Sequence, residues 1–261
     1  MIRKIIFPII VLLLVSAGCV DYQMQSERTN SKINIDGNDD DWQGKLQFFK
    51  DERFAIGFQN DDENLYMCIT TNDKNKARKF LMPGMNIWFD TGSENTYAIR
   101  FPLFDPEQMP RRKNNNEGNP SERNNIFRNI LADQHSFLVV NEDDYPMGTY
   151  SIDGNSGVKL KVGMTKDKFV FELQYALTPY NDKIVNSLDL KGKKELKVSF
   201  ESVEFNRSFS GAGARMGGGP DDGMGSGIGG GMRPGGTGQR PGMNRLSEED
   251  INFSVDVVLA D

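Results

Sequence analysis

The stretch Phe169-Val170-Phe171-Glu172-Leu173-Gln174-Tyr175 decides the fold class, because its odd-numbered positions are all apolar and its even-numbered positions mostly are not. A period of two is typical of a β-strand whose two faces meet different surroundings. The same pattern returns near the end of the chain, in Ile251, Phe253, Val255 and Val257. Such strands predict an antiparallel sheet with one face packed and the other exposed to water.

Shorter runs of the same kind recur between turn-forming residues along the chain. They are Phe54–Phe58, Leu65–Thr71, Met85–Asp90, Thr96–Phe101, Phe137–Val140, Thr149–Ile152, Val158–Val162 and Leu196–Val203. The first two flank the polar stretch Asn60–Asn64 and predict a hairpin. No long amphipathic helices alternate with the strands, which argues against a parallel α/β sheet. The predicted fold class is therefore all-β, an antiparallel β-sandwich of the jelly-roll or immunoglobulin-like kind.

Two polar segments interrupt the predicted strands. Residues 106–133 contain the basic run Arg111–Lys113, which is interpreted as a solvated loop. Within them, Asn119-Pro120-Ser121-Glu122 predicts the start of one short helix. Residues 210–245 hold most of the chain's 27 glycines. This second segment cannot bury enough apolar surface to offset its ordering entropy, so we expect a disordered Gly-rich internal loop.

The amino terminus has the features of an export signal. Arg3 and Lys4 precede the apolar run Ile5–Val15, which ends in Ser16-Ala17-Gly18-Cys19. The run is shorter than the about 20 residues of a membrane span and is interpreted as a cleaved signal. Its last residues resemble a bacterial lipoprotein signal, which implies cleavage after Gly18 and lipidation of Cys19. An ordinary signal with a coincidental cysteine is the alternative.

This resemblance predicts where the chain resides and how it is divided. We expect a signal peptide over residues 1–18, a polar tether over 19–31 and a single β-sandwich domain over 32–261. Lipidation implies attachment to the bacterial cell envelope. Val20 follows the cysteine, rather than the aspartate that resembles an inner-membrane retention signal, and this favours the outer membrane.

Composition argues against several classes of function. The net charge is -6, so nucleic acid is not an expected partner, because phosphate binding needs a basic patch. If Cys19 is lipidated, Cys68 has no partner for an internal disulfide and is interpreted as a buried small hydrophobe. The motifs HExxH, GxSxG and CxxC are missing, so we predict neither an enzyme nor a bound metal or cofactor. The single histidine, His135, leaves a haem or redox carrier as the weakest reading.

Four motifs follow one another in a characteristic order. They are Ile33–Trp42, which contains Asp36-Gly37, an acidic turn and Trp42, followed by Asn60–Met67, Asn86–Asp90 and Phe169–Pro179. Together they resemble the family-nine carbohydrate-binding modules and related DOMON-type β-sandwiches. Known members bind sugars between aromatic side chains, and some hold structural calcium.

The resemblance implies roles for particular aromatic residues. Trp42 stands where the family's tryptophan is usually packed in the core, so it is interpreted as structural. Trp88 and Tyr97 lie on neighbouring predicted strands and are the candidate ligand-binding pair, as a stacking platform. The alternative is that Trp88 also belongs to the core.

Calcium binding is not predicted for the acidic turn. Asp36, Asn38 and Asp40 have the alternate spacing of a calcium loop, but Asp41 and Gln47 stand where an EF-hand has Gly and Glu. A structural turn is therefore the preferred interpretation.

The predicted function is a lipid-anchored binding protein of the envelope, for carbohydrate or a related ligand. The alternative is a non-catalytic interaction subunit of an envelope protein complex, which the Gly-rich loop and the 106–133 segment would contact. The expected partners are the membrane, through the lipid anchor, and either a polysaccharide or an envelope protein.

Overall fold

A computed structural model describes residues 21–93, 96–103, 131–132, 134–165, 167–179, 181–203 and 250–261. Short strands account for most of the regular structure. In chain order they are β1 (Asp21–Gln25), β2 (Glu27–Arg28), β3 (Gln47–Phe49), β4 (Phe54–Asn60), β5 (Asn64–Thr71), β6 (Met85–Asp90), β7 (Tyr97–Phe101), β8 (Ser136–Asn141), β9 (Pro146–Ser151), β10 (Val158–Met164), β11 (Phe169–Ala176), β12 (Glu195–Ser202) and β13 (Asn252–Val258). A 3-10 helix covers Asp40–Trp42, and the helix α1 covers Lys74–Leu81.

The strands form two sheets, which pack face to face. Sheet A has the order β1-β13-β12-β6-β7-β8-β9, and sheet B has the order β10-β11-β5-β4-β2, with β3 also paired to β4. Pairing is antiparallel except between β1 and β13 and between β2 and β4, which are parallel. The all-β sandwich predicted from the alternating pattern is confirmed.

The main core fills the space between the sheets. Phe171 and Leu173 of β11 are completely buried there, as the alternation predicts. The helix α1 closes one end of this core, because the ring of Phe80 packs 5.0 Å from Phe169 and 5.1 Å from Phe171 between ring centroids. Burying each large apolar side chain contributes about 1.5–3 kcal/mol, so this core is the main source of stability.

The central strands β5 and β11 of sheet B are buried on both faces, so the prediction of one water-exposed face is wrong for them. Val170 and Glu172 point away from the main core, yet they are 3% and 0% exposed. The cause is the segment 29–46, here called the strap, which covers the outer face of sheet B. Its side chains and those beneath them form a second cluster of Ile33, Ile35, Trp42, Tyr66, Cys68 and Val170. The interpretation of Cys68 as a buried small hydrophobe is confirmed.

The predicted tether over residues 19–31 is also wrong where the structure describes it. Residues 21–28 form β1 and β2, and the amide of Ser26 donates to the carbonyl of Val258 at 2.9 Å. The side chains of Tyr22 and Met24 pack against the main core. Their spacing of two residues is the period of a β-strand. The prediction missed it because the residues between and around them are polar and face away from the core.

The helix α1 was not predicted. It begins at Asp73, whose side chain accepts hydrogen bonds from the backbone N–H groups of Asn75 and Lys76. This is a regular helix N-cap, and the sequence therefore did contain the signal. None of the helical segments in the described ranges has the length and apolar content needed to cross a membrane.

Several predictions fall outside the described residues. They concern the signal peptide with Gly18 and Cys19, the short helix starting near Asn119 and the Gly-rich loop over residues 210–245. Of the 106–133 segment, only residues 131–132 are described, and they are helical.

Candidate functional site

A buried carboxylate joins two of the sequence motifs. Glu172 accepts a hydrogen bond from the indole Nε1 of Trp42 at 2.9 Å through Oε1. Its Oε2 accepts from the backbone N–H groups of Asp36 at 2.9 Å and Gly37 at 2.7 Å. Burial raises the pKa of the Glu172 carboxyl, although these three hydrogen bonds oppose that shift. Trp42 is 0% exposed, which confirms its structural interpretation, and the junction fastens the strap to sheet B.

The acidic residues of the strap serve as hydrogen-bond acceptors within a turn. Asp36 Oδ1 accepts from the backbone N–H of Asn38 at 2.9 Å, and Asp41 Oδ2 accepts from that of Asn34 at 2.9 Å. Lys168 forms an ion pair with Asp39. In the part of the chain that the structure covers, no group of three or more His, Cys, Asp or Glu side chains is placed to hold a metal ion. The arrangement agrees with a structural turn.

Trp88 and Tyr97 lie on opposite faces of sheet A, so they do not form one stacking platform. In the register of β6 and β7, Trp88 is opposite Ala98, and Tyr97 is opposite Phe89. Side chains alternate between the two faces of a strand, and Phe89 is buried in the main core. Trp88 therefore projects from the outer face, where it is half-buried and its Nε1 donates to Glu201 at 2.8 Å. It belongs to neither of the two hydrophobic clusters, so the core alternative is wrong as well.

Tyr97 instead lies in an open cleft of about 590 Å³ at one end of the sandwich. Its neighbours there include Phe89 and Tyr175, whose rings meet edge to face with centroids 5.0 Å apart. Tyr97 is 40% exposed, whereas Tyr175 is buried. Burial, and to a lesser extent Tyr150, raise the pKa of Tyr175, so its hydroxyl stays protonated. The remaining lining residues are Thr91, Gly92, Ser93, Ser187, Leu188, Asp189, Leu190, Lys191 and Lys193.

The segment 187–193 forms one wall of the cleft. Backbone hydrogen bonds from Leu188 to Ala176 and from Asp189 to Leu177, of 2.9 and 3.0 Å, hold it against the end of β11. Lys193 ties it to the opposite wall, because its Nζ donates to the carbonyls of Thr91 at 3.0 Å and Gly92 at 2.9 Å.

Two residues of this wall have backbone conformations that side chains rarely adopt. The φ angle is 43° at Asp189 and 51° at Lys191. Left-handed conformations at non-glycine residues are uncommon and cost about 1–3 kcal/mol each. Both side chains are exposed and opposite in charge, so the rim presents an acceptor and a cation close to the exposed ring of Tyr97.

A second, larger groove of about 970 Å³ adjoins the cleft. The two share Thr91, Gly92 and Lys193 as lining residues. The groove extends to β1 and β13 through Gln23, Gln25 and Asp256. A ligand longer than the cleft would therefore meet amide and carboxylate groups beyond it.

The titratable side chains of the cleft are few. Its described lining includes a single carboxylate, Asp189, and neither histidine nor cysteine. Glycoside hydrolysis ordinarily uses a pair of carboxyl groups that flank the scissile bond. His135, the candidate haem ligand, is exposed just before β8 and does not line the cleft.

Comparison with known proteins gives weak likenesses. No family model matches the sequence, and no curated protein matches it. Among solved structures, a family 9 carbohydrate-binding module from Caldicellulosiruptor kristjanssonii in complex with glucose has 13% sequence identity and a TM-score of 0.32. The match covers 71% of this chain and 80% of that chain. The same module in complex with cellotriose has equal identity and TM-score, covering 72% of this chain and 79% of that chain.

Proposed function

We propose that this protein is a lipid-anchored binding protein of the bacterial cell envelope and that the cleft at Tyr97 binds a carbohydrate. The observation that supports this most is the exposed Tyr97 ring beside Phe89 and Tyr175, within a rim of hydroxyl, amide-backbone and charged groups. A sugar ring has an apolar face and a polar edge, so an aromatic surface bordered by hydrogen-bonding groups is complementary to it.

The anchor in this proposal is supported by the sequence Ser16-Ala17-Gly18-Cys19 after a short apolar run. A lipidated Cys19 would hold the domain at the membrane through acyl chains, and more than one chain is needed for stable anchoring. Lipidation therefore fits a protein that presents a binding site at the cell surface or in the space beneath it.

Calorimetric titration against a panel of glycans tests the cleft. The variant Tyr97→Ala should weaken binding at least about tenfold, or about 1.4 kcal/mol, because it removes the exposed ring. Tyr145→Ala is the matched control, since Tyr145 is 66% exposed and does not line the cleft. If both variants bind sugar equally, or if no glycan binds the wild type, the proposed function is wrong.

A second candidate function is a non-catalytic interaction subunit of an envelope complex. The observation that favours it is the exposure of Tyr145 and Met147, at 66% and 55%, next to and within the edge strand β9. A stoichiometric protein partner in purifications from membranes would favour this function. Loss of that partner in a Tyr145→Ser, Met147→Ser variant would assign the contact to β9.

A further inference from the structure

We propose that the sandwich stands on the membrane by the end of sheet A where β1 begins, with α1 against the lipid headgroups and the cleft opening away from them. This inference rests on the lipid anchor of the proposed function. It adds the surface that meets the membrane and the direction in which the binding site points.

The anchor lies a short distance along the chain from the fold. β1 begins at Asp21, two residues after Cys19. Two extended residues span at most about 7 Å. Since Asp21 already pairs with Ser254 of β13, the lipid attachment point must lie close to the body of the sandwich. A domain held this closely cannot turn freely on its anchor.

The direction of β1 relates the anchor to the cleft. Its register runs from Asp21 opposite Ser254 to Gln25 opposite Val258. Gln25 lines the groove that adjoins the cleft, so β1 leads from the anchor towards the cleft. At about 3.4 Å per residue, the four steps from Asp21 to Gln25 correspond to about 14 Å. The cleft therefore lies at the end of sheet A that is farther from the attachment point.

The helix α1 lies at the end of sheet A where β13 begins. The ion pair of Lys79 with Asp250, at 3.1 Å, places the end of α1 beside the start of β13. Lys74 and Arg78 are exposed and lie four residues apart, on the same side of the helix. Cations near a membrane are attracted to anionic headgroups.

The charge of the broad outer face of sheet A disfavours a sideways orientation. In the register of β6, β12 and β13, the acidic side chains outnumber the basic ones on the outer face near β1. The charged residues there are Asp90, Glu195, Lys197, Glu201 and Asp256. Anionic headgroups would repel this surface, whereas they attract the exposed cations of α1.

Fluorescence quenching in vesicles tests the orientation. The full lipidated protein is reconstituted into vesicles of phosphatidylethanolamine and phosphatidylglycerol with a nitroxide quencher on the headgroups. A fluorophore is attached at Asn75→Cys on α1 or at Asp143→Cys in the turn after β8, two exposed positions at opposite ends of sheet A. The native Cys68 is completely buried and should not be labelled. The Asn75 label should be quenched several-fold more than the Asp143 label.

A charge reversal tests the role of α1. Arg78→Glu should reduce quenching of the Asn75 label, while Lys183→Glu, an equal charge change at an exposed lysine, should not. Equal quenching of the two labels, or stronger quenching at Asp143, overturns the orientation. An unchanged signal in Arg78→Glu overturns the contact of α1 with the headgroups.

Mass spectrometry of the same sample separates this proposal from the one it rests on. If Cys19 carries acyl chains and the labels are quenched equally, the orientation is wrong and the anchor stands. If no acyl chain is present, the anchor and the orientation are both wrong. The glycan titration is independent of either result.

Discussion

Replacing Glu172 with glutamine should destabilise the protein far more than the same replacement at Glu201. Both carboxylates accept a hydrogen bond from a tryptophan indole, at 2.9 Å from Trp42 and at 2.8 Å from Trp88. Glu172 is 0% exposed, whereas Glu201 is exposed to water. The two variants therefore compare the same carboxylate–indole hydrogen bond in a buried and in an exposed environment.

The magnitude follows from the number of donors that surround Glu172. A glutamine has one acceptor oxygen, while the donors from Trp42, Asp36 and Gly37 approach both oxygens of the carboxylate. In the less damaging orientation, the side-chain oxygen of the glutamine accepts from the two backbone N–H groups. Its NH₂ group then faces the indole N–H of Trp42, which is also a donor and therefore loses its acceptor. A buried donor then loses a hydrogen bond to a charged group, at a cost of about 1.5–3 kcal/mol. That is a large part of a typical stability of about 5–15 kcal/mol.

Urea denaturation followed by far-ultraviolet circular dichroism measures the difference. We expect Glu172→Gln to lose about 1.5–3 kcal/mol of unfolding free energy and Glu201→Gln to lose less than about 0.5 kcal/mol. The slope of free energy against urea should stay the same if both variants keep the native fold. Equal losses, or a loss below about 0.5 kcal/mol at Glu172, would refute the assignment of this residue as the junction.

Three further changes probe other parts of the fold. Burial raises the pKa of Glu172 above that of the unfolded chain, so the folded state binds its proton more tightly. The stability advantage of the wild type over Glu172→Gln should therefore grow as the pH falls from neutral towards the ordinary glutamate pKa of about 4.3, and a shrinking difference in urea midpoints would contradict this. Asp73→Ala should lower the free energy of unfolding by about 1 kcal/mol, because it removes the N-cap of α1. Asp73→Asn should lower it by less in the same denaturation assay, because asparagine keeps a hydrogen-bond acceptor and loses only the ion pair with Arg53. Deleting residues 211–243 should leave the melting temperature nearly unchanged, because β12 and β13 are antiparallel neighbours and each halving of the loop between them lowers its closure cost by about 0.6 kcal/mol. Deleting residues 251–259 should instead unfold the protein, because it removes apolar side chains from the core. Equal damage from both deletions would be inconsistent with a solvated loop over residues 211–243.

The strands were predictable where one face of a strand packs in the main core. Phe171 and Leu173 belong to an alternating pattern of apolar residues that predicts β11. The sequence could not show that Val170 and Glu172, on the other face, are covered as well, because the strap that covers them lies far away in the chain. Burial of a second face depends on tertiary contacts, which the local pattern does not record.

The candidate site was only partly predictable. Tyr97 was identified from its predicted strand, but its pairing with Trp88 depended on the register of β6 and β7. A shift of one residue moves a side chain to the opposite face, and nothing in the local sequence specified this register. Phe89, Tyr175 and the segment 187–193 were missed because they come together only when both sheets and a connecting segment meet at one end. The positive φ at Asp189 and Lys191 has no sequence signal comparable to a glycine.

The parallel pairing of β1 with β13 has a consequence for biogenesis. Of the described strands, only β13 pairs with β1, and it lies between β1 and β12. β1 can pair with β13 only after the chain has been made as far as Val258. The β1 edge of sheet A is therefore completed only after β13 is present. Contacts between residues so distant in the chain also form slowly, which makes the joining of the two chain ends a late event in folding.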